Sequence, residues 1–480
     1  MSQPGGLPDG LVVVVKQDCA TCRLVEPVLA QLAGGADVPV TVYTQDDPAF
    51  PASVEHLDDT ELEVSWRHDI ETVPTVIRVV DGREVERTVG WLRPEWERVT
   101  GVDGLGPELP EHRPGCGSLS VDPDLVDGLR VKFEGSSLHS RRVSLASQED
   151  EFEALFMRGW SDGLPLVPPT EERVLRMLGG TTRDPQDVVA VVPPDLVETT
   201  VEKVAIAAVM AGCLPEYLPW VITALEAVCT DEFNMHGVLA TTMPVGPVIV
   251  CSGPGTEAIG MNSRGNALGQ GNRANLTIGR ALQLVVRNVG GGRPGGVDRA
   301  ALGNPGKLSF CFAERPGSPF GTLAEHRGLA PGTDALTVFA GEGPRSIVDQ
   351  KSRTADELAW SLASCLRTVH HPKLVQGFDA ILVICPEHAS RFADAGWGYD
   401  RIVAELRDRL EIDTAELVVG AGGNAEGLPA GAGGGRINKF APDGLMLAYA
   451  GGDAGLFSAV IGGWVNGSVG ARPVTRAVIP

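Results

Sequence analysis

Residues 11–22 read LVVVVKQDCATC, and this stretch decides how the first part of the chain is organised. Leu11 to Val15 is an unbroken apolar run, the pattern of a strand buried on both faces. Three polar residues later come Cys19 and Cys22, separated by Ala20 and Thr21. Leu24, Val25, Val28, Leu29 and Leu32 then recur at helical spacing, with Pro27 expected to kink the helix. Further out, Val38 to Tyr43 reads as a second strand. Val73-Pro74-Thr75 leads into the run Val76 to Val80. Asp81-Gly82 separates that run from Glu84 to Val89, a strong hairpin signal. A helix from Arg93 to Val99 closes the region.

The two-residue gap at a helix start brings both sulfurs within disulfide reach. The unpaired N–H groups of the first turn favour thiolate on the first sulfur. Asp18 opposes this by placing an anion beside Cys19. The same spacing also serves as half of a zinc site, but no second Cys-x-x-Cys or His pair completes one, so redox exchange is the expected chemistry. A third reading keeps this region for docking alone.

Strand, Cys-x-x-Cys, helix, strand and a proline opening a hairpin together resemble the thioredoxin superfamily, over residues 8 to 102. The resemblance implies a cis-proline at Pro74 facing Cys19 and Cys22. The chain departs from that pattern in three places. No aromatic precedes Cys19, Ala20-Thr21 replaces the familiar Gly-Pro or Pro-Tyr, and the acidic segment Thr44 to Glu63 lengthens the middle.

The net charge of −22 over 480 residues repels phosphate backbones, so a nucleic-acid partner is not expected. Residues 1 to 104 hold 8 basic against 19 acidic side chains, marking them as a separate unit. No apolar run is long enough to cross a membrane, and the start lacks the features of a signal peptide. Nine cysteines without framework spacing fit a cytoplasmic protein with reduced thiols.

Residues 103 to 118, DGLGPELPEHRPGCGS, read as a Gly/Pro-rich linker with Cys116 on a flexible tether, able to exchange with Cys19 or Cys22. An inert loop thiol is the equal alternative. Beyond the linker, Ser147 is expected to cap a helix carrying Phe152, Leu155 and Phe156. Strands are expected at 188–192, 245–251, 308–312, 335–339, 380–384 and 445–449. Helices near 274–289, 355–369 and 400–410 intervene, an α/β pattern.

Within this region the stretch 262–275 combines glycines, asparagines and arginines just ahead of a helix. Asn262, Arg264, Asn266, Gly269, Gly271, Asn272, Arg273 and Asn275 are candidates to hold an anionic ligand group through backbone N–H groups and a guanidinium. A purely structural loop is the competing reading. Gly290 to Gly296 is expected to form a lid. Cys213 and Cys311, near element ends, are candidate thiols, with Cys251, His236, Glu314 and the Glu387-His388 pair behind them. No metal signature and no cofactor motif occurs.

The expected fold class is α/β: a thioredoxin-like domain at 1–102, a connecting segment at 103–146, and a large α/β region with a mostly buried mixed sheet at 147–480, with a division near 335 as an option. The expected function is a thiol/disulfide oxidoreductase head on an enzyme body that converts a small polar or anionic substrate. It would be fed by a thiol reductant or reductase and assembled as a homo-oligomer. The alternatives are a protein-disulfide reductase with a client-binding domain and a hydrolase or lyase whose head only docks.

Overall fold

All six residues of the apolar run Gly10–Val15 (β1) are buried, as a strand covered on both faces requires. The computed structural model describes residues 6–135, 137–145, 149–432 and 434–479. The chain folds as α/β in two compact units, Met1–Ser137 and Leu138–Pro480.

In the first unit β1 pairs in parallel with Val40–Thr44 (β2), which pairs in parallel with Leu57–Asp58 (β3). On its other side β1 meets Thr75–Val80 (β4) antiparallel, and β4 meets Arg83–Val89 (β5). Asp81 and Gly82 have φ of 52° and 69°, the two positive values of a tight hairpin turn matched to strand twist. The helix Ala20–Gly35 (α1) continues through Pro27 and buries Val25, Val28, Leu29 and Leu32. Arg93–Thr100 (α2) packs Trp96 edge-on to Trp91, ring centroids 5.1 Å apart.

The linker expectation is corrected here. His112–Arg113 pairs with Trp91–Leu92, and Cys116–Gly117 pairs with Thr72–Val73. Leu105 is buried, and the Trp91 indole donates to the Pro110 carbonyl at 2.6 Å. Two glycines of this segment, Gly106 and Gly115, serve close approach. A Cβ on Gly115 would stand 2.8 Å from the Val73 carbonyl oxygen. The unit therefore runs on to Ser137, past the boundary expected at residue 102.

The second unit is built on one mixed sheet. Gly246–Ser252 (β6) lies between parallel Cys311–Ala313 (β7) and antiparallel Ala335–Gly341 (β8). Phe378–Ile384 (β10) lies likewise between parallel Leu445–Tyr449 (β11) and antiparallel Phe457–Val465 (β12). The two triplets meet where β8 and β12 pair, Gly341 opposite Gly463. Arg345–Val348 (β9), which follows β8, pairs with β12, and Val474–Ala477 (β13), which follows β12, pairs with β8. The strand order is therefore palindromic, and residue 335 opens a strand inside a continuous sheet.

Alternation of side chains along these strands separates three cores. Ile249, Cys251, Leu336 and Val338 face the helices Val201–Ala211 (α3), Leu218–Val228 (α4) and Arg273–Asn288 (α5). Ala380, Leu382, Leu445 and Leu447 face Ala355–Leu366 (α6) and Tyr399–Arg409 (α8), with Pro386–Asp394 (α7) between those helices in the chain. Val248, Val250, Phe312, Ile381, Val383, Met446 and Ile461 form the third, on the opposite side. The sheet curls around that third core until its two ends touch. The Arg315 N–H, just past β7, donates to the Tyr449 carbonyl of β11 at 2.7 Å.

Three further expectations change. The helix Glu151–Met157 is capped by Asp150 and buries Leu155 but leaves Phe152 and Phe156 exposed; Ser147 lies outside the described residues. Gly290 to Gly292 is no lid, because a Cβ on Gly290 would meet the Pro193 carbonyl and one on Gly291 the Asp195 carboxylate. The strand β12, central to the sheet, has no counterpart among the expected strands. Among the described residues no helix is long and apolar enough to cross a membrane.

Candidate functional site

Cys19 is the residue that caps α1: its backbone is extended, and its sulfur accepts the Cys22 N–H at 3.3 Å. Its thiol also reaches the Val73 carbonyl at 3.5 Å, in the segment that carries the cis peptide Val73-Pro74. Pro74 has the expected cis peptide bond and follows Val73, the residue that touches Cys19. Thr21 donates to the Pro114 carbonyl at 2.6 Å, tying the helix start to the strand that bears Cys116. Cys116 pairs with Val73 in that strand, which brings a third sulfur to Cys19. It belongs to the site as a fixed member, not as a tethered visitor.

The three sulfurs are electrostatically unequal. Hydrogen bonding from the Cys22 thiol, joined by the Cys116 thiol and by amides of the first turn, lowers the Cys19 pKa to about 5 against an opposing effect of burial. Burial, then the anion at Cys19, pushes Cys22 far up, and the same two causes raise Cys116. One sulfur is therefore a thiolate at neutral pH while two neighbours hold their protons and donate to it. That is the arrangement thiol–disulfide exchange needs: an ionised attacker with thiols at hand to resolve the intermediate. Asp18 lies at the surface, and its backbone N–H and that of Gln17 donate to the Asp46 carboxylate.

In the second unit, the asparagines of 262–275 hold the loop to itself. Asn275 exchanges hydrogen bonds with the Asn262 backbone, receiving its N–H at 3.0 Å and donating to its carbonyl at 2.8 Å. Asn266 donates to Gln270, and Asn272 donates to Gly260 while capping α5. Gly269 lies so close to the Asn266 side chain that a Cβ would clash, and Gly271 has a φ of 107°. Arg273 donates to the Gly212 carbonyl at 2.8 Å. Arg264 and Arg273 are both exposed.

Cys213 and Cys311 lie in the core beside α3 and α5, and the Cys251 and Cys311 sulfurs are 3.8 Å apart there. Burial pushes the Cys213 thiol up to about 12, so it stays protonated. Glu314, just past β7, is buried, and desolvation raises its carboxyl to about 8. The pair Glu387-His388 brings in a residue the sequence reading passed over, Cys385. The signal was available: a strand ending in Cys-Pro with a histidine three positions on, one helical turn away. Among the described residues no group of three or more His, Cys, Asp or Glu is arranged to hold a metal ion. Comparison with known proteins returned no match for this chain to a family model, a curated protein or a solved structure.

Proposed function

We propose that the first unit is a thiol–disulfide oxidoreductase of thioredoxin-like kind, with Cys19 as the attacking sulfur. The observation that carries this reading is the three-sulfur cluster, in which Cys19 alone is drawn toward thiolate. The Cys19 thiolate attacks one sulfur of a substrate disulfide; a new S–S bond forms, the old one breaks, and the departing thiolate takes up a proton. Cys22 or Cys116 then gives up its proton and attacks the Cys19 sulfur. The second half of the substrate leaves as a thiol, and the protein keeps an internal disulfide. Two electrons from a thiol reductant or reductase restore the starting state. The cytoplasm, where thiols are kept reduced, suits that cycle. The large α/β unit is the consumer of this chemistry, acting on a small polar or anionic compound.

Single Cys→Ser variants of the full chain test the assignment with a disulfide substrate such as insulin. Cys19→Ser is expected to lose reductase activity, and Cys22→Ser to accumulate a Cys19–Cys116 disulfide visible by peptide mapping. Full activity in Cys19→Ser removes the reading.

A further inference from the structure

The second unit holds a cavity that involves neither the thiols nor the loop at 262–275. Its volume is about 520 Å³, within the range of small-molecule sites. The inner wall is apolar and comes from three helices. Val174 belongs to Glu171–Leu178, Ile206 and Met210 to α3, and Leu284 to α5. Ile206 and Met210 are four residues apart on α3, so both fall on one face of it. Leu155, from the helix Glu151–Met157, is turned inward and adds to the same wall, while Phe152 and Phe156 stay exposed. The outer wall includes Leu138 and Ser140, in a segment tied down by Glu202 of α3. That carboxylate accepts the His139 N–H at 2.9 Å, the Ser140 N–H at 2.7 Å and the Gln186 side-chain amide at 2.7 Å. Those three bonds commit Glu202 to holding the wall.

One end of this cavity is cationic. A second cavity shares Arg141, Arg142, Val143, Arg158 and Trp160 with the first, so the two adjoin. Among the described residues its lining adds only Ser144, and so holds three arginines and no acid. Arg141, Arg142, Val143 and Ser144 are exposed, which makes this end the mouth. The three guanidinium groups are not equivalent. Arg142 pairs with Glu171, while Arg158 pairs with Glu149 at 3.0 Å and donates to the Ala154 carbonyl at 2.9 Å. Among the described residues the Arg141 side chain has no hydrogen bond or ion pair, and neither has that of Lys203, which lines the first cavity from α3. Against these two cations stands Glu151, the remaining acid of the lining. An apolar chamber thus opens through a mouth of positive charge.

The geometry points to a binding site for a soluble amphipathic anion: a carboxylate on an unbranched hydrocarbon chain, its tail in the apolar cavity and its head on Arg141. Burial supplies affinity along the tail, since each methylene taken out of water is worth roughly fourfold in binding. A guanidinium without a partner offers the fork that a carboxylate fills with two hydrogen bonds. A cationic head on the same tail would meet repulsion at the mouth. A short anion would leave the chamber empty. The site lies within the second unit and stands apart from the exchange proposed for Cys19, because its occupation needs none of the cysteines.

Titration calorimetry of the full chain tests the assignment, with every ligand far below its micellar concentration. Decanoate is expected to bind once per chain with a Kd on the order of 100 μM. Butyrate, which keeps the head and loses the tail, should bind at least about hundredfold more weakly. Decyltrimethylammonium, which keeps the tail and reverses the head, should bind at least about tenfold more weakly. Arg141→Ala should weaken decanoate about tenfold and leave decyltrimethylammonium no weaker than in the parent chain. Ala207→Phe, which sets a ring into the lining from α3, should abolish decanoate binding. The ligand series on the parent chain decides the matter even if Ala207→Phe does not fold. No heat from decanoate at about 1 mM, several ions per chain, or equal binding of butyrate overturns the site. Undiminished binding by folded Ala207→Phe overturns its placement. Equal binding of decanoate and decyltrimethylammonium, or unchanged decanoate affinity in Arg141→Ala, overturns the anionic head on Arg141.

Discussion

Cys19 owes its charge to what surrounds it, and the strongest influence is a proton held by another sulfur. Cys22 is the largest contributor, so Cys22→Ala should move the Cys19 ionisation upward more than Cys116→Ala does. Alkylation of Cys19 in the reduced chain should rise through a midpoint at about pH 5, followed by mass spectrometry of the Cys19 peptide. The same shift has a consequence for folding. Between the folded value of about 5 and the ordinary 9.0, the unfolded chain still holds a proton at this sulfur and the folded chain does not. Stability from this group is full above the ordinary value, declines as pH falls, and is gone below about 5. Relative to Cys19→Ser, the reduced protein should therefore gain stability as pH rises across that window, measured by urea unfolding. A flat difference would mean that Cys19 is not ionised in the folded state.

At the scale of elements, the two-residue pairing of Cys116–Gly117 with Thr72–Val73 decides whether Cys116 belongs to the site. Gly115→Ala should push the strand off Val73, cost about 1–3 kcal/mol and raise the Cys19 pKa by removing one donor. Thermal unfolding and the alkylation profile read the two effects separately. This pairing also marks the limit of what the sequence discloses. The strand, the Cys-x-x-Cys and the hairpin at Asp81-Gly82 are local patterns, and each was legible. Cys116 could be seen as a thiol but not as a neighbour, because its place depends on a glycine that lets two distant backbones touch. Strand β12 is hidden for a related reason. Gly462 and Gly463 break its apolar run, yet both are needed where strands crowd, since a Cβ on Gly463 would stand 2.6 Å from Phe339 Cζ. Cys385 escaped because a cysteine followed by proline reads as a break, whereas here that proline starts the helix that carries His388.

At the scale of the whole molecule, the chain carries two sets of cores that share no residues: one in the first unit and three around the sheet of the second. Calorimetry of the full chain should resolve two transitions. Gly463→Ala should lower the one belonging to residues 138–480, and Gly115→Ala the one belonging to residues 1–137. A single transition lowered equally by both would show that the units unfold together.

The palindromic strand order makes the two halves of the sheet depend on each other. Each triplet sends its trailing strand across to the other, β9 to β12 and β13 to β8, so neither half of the sheet is complete alone. Two copies of a shorter chain related by a two-fold axis, each trading its last strand with the other, would draw the same diagram. The large unit is laid out as two like halves whose arms cross. The two equivalent strand ends carry different residues: β6 runs into Ser252-Gly253-Pro254, while β10 runs into Cys385-Pro386 and the histidine beyond.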